Sequence, residues 1–176
     1  KEILSVDEVK SMYEACKNLK ETALLSCAYG LGLRRSEIVS LQLSDIDVKL
    51  GKVIVRSGKG GKRREVPMSD KVITDIRDYV HYERNMRGKK VYNLFTAPRG
   101  NRLSGYYMNT LIGKITKRVP GLQDKNVTLH TMRRSIATHL VECGASIHFV
   151  KDFLGHTDID TAQLYAMRRK RKHSLS

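Results

Sequence analysis

Apolar residues recur at helical spacing over residues 6–19, where Val6, Val9, Met12, Tyr13 and Cys16 share one face. Ser5 followed by Glu8 is a capping-box pattern that opens this helix. A second apolar helix is predicted over 22–31, ending at the glycine pair Gly30 and Gly32, with a short helix at 36–41. The period then changes from helical to alternating. Residues 52–56 read as a strand, 57–62 as a glycine-rich turn and 64–66 as the return strand before Pro67. Helices follow over 69–86, 104–118, 128–142 and 146–154, with Pro120-Gly121, Gly144 and Gly155 as stops, and a last short helix spans 158–167. Residues 88–103 are irregular, with one short extended stretch at 93–95. The predicted class is α+β and mainly α, with a small three-stranded antiparallel sheet built on the hairpin. One domain covers 1–176, globular over about 4–167 and closed by a basic tail at 168–176.

Composition changes this picture through charge. The chain has 176 residues, with 33 Lys+Arg against 18 Asp+Glu and a net charge of +15. The cations cluster at 59–64 and 168–172, which favours a polyanionic partner over a merely solvated surface. No apolar run is long enough to span a bilayer, and with no Trp and three Phe an interfacial membrane helix lacks anchors. The three cysteines are scattered and odd in number, which excludes a disulfide framework and CxxC metal knuckles and suits a reducing, cytoplasmic setting. The first residues carry no signal-peptide pattern, and a start without Met fits a piece of a longer protein.

Four segments carry candidate chemistry: Gly32-Leu33-Arg34-Arg35-Ser36-Glu37, Gly58-Lys59-Gly60 on the hairpin, His130-Thr131-Met132-Arg133, and Leu154-Gly155-His156 with Tyr165 nine residues beyond the histidine. In this order and at these intervals they resemble the catalytic domain of the tyrosine recombinases, the phage integrase family, from about residue 4 to residue 165. The resemblance implies catalytic roles for Arg34, Lys59, His130, Arg133 and His156, with Tyr165 as nucleophile and Glu37 bracing the site. It selects Arg34 over Arg35 and Arg133 over Arg134. Lys62 shares the hairpin tip with Lys59 and is an alternative general acid. Arg35, Lys62, Arg63, Arg64 and Arg134 are expected to contact DNA. At Arg134 the sequence departs from the commonest family word, which has a histidine there.

The residue types suit that chemistry. Cleaving a phosphodiester needs a nucleophile, cations on the non-bridging oxygens and a proton for the leaving oxygen. Guanidinium forks fit phosphate oxygens, and His130 lies three residues before Arg133 on one helical face. The acidic residues Asp45, Asp47, Asp158 and Asp160 fall in separate segments and suit turn and helix caps better than a two-metal centre. No metal and no cofactor are expected. Taken singly, most of these residues have plainer readings: a tyrosine on a short helix usually packs, and a histidine after a glycine caps. His139 and His148, on helices of apolar residues, are expected to be structural, and His81 and His173 to lie on the surface.

The resemblance further implies double-stranded DNA with specific recombination sites as partner. It implies a homotetramer on DNA and a monomer in isolation, association with the nucleoid when acting, and a helical core-binding domain preceding this one. Two rivals stand beside it. One shares the chemistry: a type IB topoisomerase-like relaxase or a telomere resolvase. The other is a non-catalytic DNA-binding module of the same fold. RNA binding ranks behind both, because no RNP or KH signature is visible.

Overall fold

The computed structural model describes residues 3–56, 63–84 and 91–155. The Ser5 hydroxyl accepts from the Glu8 N–H and the Glu8 carboxylate from the Ser5 N–H, opening α1 (Val6–Ala15) as the capping box predicts. The helix expected to reach residue 19 instead breaks at Cys16, where the backbone becomes extended. A second cap lies inside the apolar pattern. Asn18 Oδ1 accepts from the Glu21 N–H at 2.9 Å, and Glu21 Oε1 accepts from the Lys17 N–H at 2.9 Å. Local side-chain bonds to the backbone overrode the helical period. The following helix, α2 (Leu19–Leu25), thus starts earlier than expected. It continues as a π-helical turn, Ser26–Gly30, in which the Leu31 N–H reaches back to the Ser26 carbonyl.

Next come α3 (Arg35–Ser40), a 3₁₀ turn (Leu43–Asp45) and three antiparallel strands in the order β1 (Ile46–Asp47), β2 (Lys52–Arg56), β3 (Arg63–Pro67). The register pairs Val53 with Val66 and Val55 with Arg64. Asp45 and Asp47 cap turns as expected, accepting from the Gln42 and Leu50 N–H groups. α4 (Asp70–Asp78), capped by Ser69, runs into a second π-helical turn, Tyr79–Glu83. Residues 93–95 form no strand. Asn93 makes only an isolated bridge with Gln42, and Thr96 another with Arg102. α5 (Gly105–Lys117), α6 (Leu129–Glu142) and α7 (Ile147–Leu154) are capped by Ser104, Thr128 and Ser146. The hairpin tip 57–62, the helix expected over 158–167 and the tail 168–176 lie outside the described residues.

The core gathers Leu24 and Leu25 from α2, Leu31 just after the π-helical turn, Ile38 from α3, Ile112 from α5 and Met132 from α6, all fully buried, and the buried faces of β2 and β3 close one side. Two polar links cross it. His139 Nε2 bonds the Leu4 carbonyl at 2.8 Å, so that nitrogen carries the proton, and Nδ1 accepts from the Tyr29 hydroxyl at 2.7 Å. This is the structural role expected of His139. His148 differs: its side chain is 86% exposed and pairs with Asp152 on the solvent face of α7. The second link is Glu21, fully buried and gripped at both oxygens by Arg118 (2.7 and 3.1 Å). Arg118 also donates to the Ala15 carbonyl, tying α1, α2 and α5 together. The three cysteines are free, none of the described helices is long and apolar enough to cross a membrane, and the described residues hold no metal-binding cluster of His, Cys, Asp or Glu.

Burial pushes the Glu21 carboxyl up, but the Arg118 bonds and charge and the Lys17 N–H outweigh it and hold it below the usual range. The pair's stabilisation is therefore complete above the ordinary carboxylate range and fades as pH falls through the depressed value. Arg118→Met strands a buried carboxylate and is expected to cost about 2–4 kcal/mol near neutral pH in urea unfolding. The deficit should shrink as pH falls and the stranded carboxylate takes up a proton.

Candidate functional site

The site begins at a left-handed glycine. Gly32 has φ +61, and a Cβ there would lie 2.7 Å from Leu154 and 3.2 Å from Ile136 and Phe153. The turn thus lies directly on α6 and α7 in a conformation and a space that suit glycine. It delivers Arg34 as the extended residue that precedes α3, with Arg35 as the first helical one. Arg34 thus belongs to the cap and Arg35 to the first turn of the helix. Arg35 is exposed, and its aliphatic stem runs against Gly105 at the start of α5.

Glu37, one turn into α3, is buried and looks back at Arg34. Its Oε1 accepts from the Arg34 N–H at 2.8 Å, and its Oε2 lies 3.4 Å from Arg34 Nη1. Its strongest partner is a different arginine. Arg64 Nη1 donates to Oε2 at 2.5 Å and Nη2 to Oε1 at 3.1 Å, while Nε donates to the Phe153 carbonyl at 3.2 Å. Burial pushes the Glu37 carboxyl up; the bonds and charges of Arg64 and Arg34 reverse this and hold it low, so it is an anion. Arg64 is one of the arginines expected to contact DNA. The structure turns it inward, with its side chain 15% exposed. The signal was present in the strand's alternation, because Arg64 shares the parity of buried Val66, whereas Arg63, Glu65 and Pro67 are exposed.

Arg133, on α6, is 3% exposed. Its Nη1 donates to the Gly32 carbonyl at 2.6 Å and its Nη2 to the Leu154 carbonyl at 2.8 Å. The last carbonyls of α7, left without helical partners, are thereby held by two arginines: Phe153 by Arg64 and Leu154 by Arg133. The chain then turns at Gly155, φ +84, where a Cβ would stand 3.1 Å from Arg64 Nη1 and 3.3 Å from Arg34 Nη1. His130 lies at the start of α6, exposed, one turn before Arg133. Arg63 is exposed and Arg134 half-buried. Lys59, Lys62, His156 and Tyr165 lie outside the described residues. Arg34, Arg64, Arg133 and Glu37 are thus joined through Gly32, Phe153, Leu154 and Gly155: three guanidinium groups and one carboxylate, a net positive cluster suited to an oxyanion.

The chain matches the phage integrase family over residues 2–172. Tyrosine recombinase XerA of Pyrococcus horikoshii is 38% identical, the match covering 92% of this chain and 55% of that protein. Tyrosine recombinase XerD of Oceanobacillus iheyensis is 37% identical over 93% of this chain and 57% of its own length. A crystal structure of XerA recombinase superposes with a TM-score of 0.86 at 29% identity, covering 99% of this chain and 65% of that one. The chain therefore spans little more than half the length of the curated relatives it matches.

Gly155→Ala is expected to lose about 1–3 kcal/mol in urea unfolding, from backbone strain plus the crowding of Arg34 and Arg64. Gly121→Ala, at φ +89 with nothing near its Cβ, carries the strain alone and should lose less.

Proposed function

Since the chain belongs to the phage integrase family, we propose that it is the catalytic domain of a site-specific DNA recombinase, cutting and rejoining double-stranded DNA through a covalent phosphotyrosine. The observation that best supports this is the joining of Arg34 and Arg133 across the Gly32 carbonyl and the Gly155 turn, immediately before His156. In this reading Arg34 and Arg133 hold the non-bridging oxygens of one phosphate. A guanidinium has five N–H donors, so an arginine fixed by two carbonyls can also serve an anion. The buried carbonyl bonds of Arg133 pre-set its orientation, so little reorganisation is needed as charge develops.

The Tyr165 oxygen attacks phosphorus and passes its proton to His130. The bond to the 5′ oxygen breaks, and Lys59, or Lys62 beside it, protonates that leaving oxygen. His156 adds a further donor to the phosphate. The product is a 3′-phosphotyrosine that conserves the energy of the ester, and attack by a 5′ hydroxyl runs the same steps in reverse. No metal and no nucleotide enter the balance. Arg35, Lys62, Arg63 and Arg134 supply phosphate contacts along the duplex, and the +15 charge supplies the long-range attraction. The full-length protein would add a helical core-binding domain and act as a tetramer on paired sites.

The test uses nicked DNA duplexes that let the cleaved fragment diffuse away. A protein–DNA adduct on a denaturing gel that forms in EDTA and vanishes in Tyr165→Phe is the expected result. Adduct formation should slow about 10²–10³-fold in Arg34→Ala or Arg133→Ala. DNA binding without any adduct, unchanged in Tyr165→Phe, would instead identify a non-catalytic module of this fold. Relaxation of supercoils on any sequence would identify the topoisomerase-like alternative.

A further inference from the structure

Arg64 occupies a position that hydrophobic burial alone would give to valine or isoleucine. It lies on the inward face of β3, two residues from buried Val66 and paired across the sheet with buried Val55. A cation at such a place is costly unless it is matched. Its match joins three segments distant in sequence: both fork nitrogens on Glu37 of α3, and Nε on the Phe153 carbonyl of α7. The Glu37 carboxylate is therefore divided unequally. Arg64 takes contacts of 2.5 and 3.1 Å, whereas the Arg34 side chain receives one at 3.4 Å.

We propose that Arg64 is a positioning residue that neutralises Glu37 and so strengthens the positive field in which the Arg34 guanidinium meets an oxyanion. Glu37 is needed to hold the Arg34 backbone at the start of α3. Its negative charge, however, opposes anion binding at Arg34. Without Arg64, Glu37 cancels the charge of Arg34 and only Arg133 leaves the cluster net positive; with Arg64 the excess is two charges. The Arg64 fork approaches Glu37 from the sheet, with its Nη1 beside Gly155 as Arg34 Nη1 is. Its third bond, to Phe153, fixes the end of α7 against the same carboxylate and sets the distance at which Gly155 passes Arg34. The device also makes β3, the strand that returns from the hairpin tip, part of the mounting of Arg34.

The proposal rests on the reading of Arg34 as a phosphate ligand, and its test is separate from strand cleavage. Sulfate serves as the probe, since its charge is constant near neutral pH, and binding is followed by NMR at the Arg34 Nε–Hε resonance. Removing the neutralising partner in Arg64→Met should weaken sulfate binding about tenfold, the effect of one uncompensated charge at close range. The double variant Arg64→Met/Glu37→Gln should return to within about threefold of the parent, because the opposing charge is gone. A purely structural Arg64 predicts the reverse: deleting a second partner of the network deepens the loss. Arg64→Gln, which can still donate to Glu37, provides the same pair of comparisons if the methionine variant fails to fold. Unchanged affinity in folded Arg64→Met or Arg64→Gln, no recovery on adding Glu37→Gln, or no sulfate response at Arg34 in the parent protein each overturns the proposal. An adduct formed by the parent while these fail leaves the catalytic reading standing and removes only the role of Arg64. Success here without any adduct does the opposite.

Discussion

The Arg133 guanidinium, closed on the carbonyls of Gly32 and Leu154, is the constraint on which the site depends. It joins two chain segments more than a hundred residues apart, each ending in a glycine with positive φ. Gly32 leads into Arg34, and Gly155 leads toward His156. Neither turn is stabilised by its own sequence; a lone left-handed glycine is entropically unfavourable to order. Held by a buried cation, each becomes a fixed exit for the residue that follows. The arrangement also solves a helix problem, since the last carbonyls of α7 would otherwise point unpartnered into a buried region.

Around this clamp the charges are ordered by depth. Among the described residues the buried acids each face a cation: Glu21 faces Arg118, Glu37 faces Arg64 and Arg34, and Asp45, which caps its turn, has Arg56 3.3 Å from its Oδ1 without a hydrogen bond. Matching is obligatory because an isolated carboxylate would not stay charged there. Arg84 and Arg133 are buried as well, each on backbone carbonyls, while the net charge of +15 attracts a polyanion from a distance but does little to choose its sequence. The same residue type thus serves two purposes in one small fold. Arg63 and Arg64 are neighbours in sequence, yet one meets solvent and the other turns inward onto Glu37 and Phe153.

That pair marks where the reading of the sequence ended. Helix and strand positions followed from local rules, because caps, glycine stops and the change of period act within a few residues. Ser5, Ser69, Ser104, Thr128 and Ser146 each cap a helix close to its expected start. Where two local rules competed, the pattern misled. The apolar face over 6–19 concealed the cap at Asn18, and the short extended run at 93–95 found only single bridges. His148 lies on an apolar helix but on its wet face, a distinction that depends on what the helix packs against.

The sequence by itself determined the family, the order of the motifs, the mainly helical architecture with one small sheet, and the excess of cations. All of these reside in composition and in spacing along the chain. Only the tertiary structure decided which arginine faces which partner. The double bonding of Glu37, the anchoring of Phe153 by Arg64 and the closure of Arg133 on two distant carbonyls join α3, β3, α6 and α7, with sequence separations from 21 to 101 residues. No local period encodes such contacts. They exist because a buried guanidinium must find acceptors, and folding brings the acceptors to it.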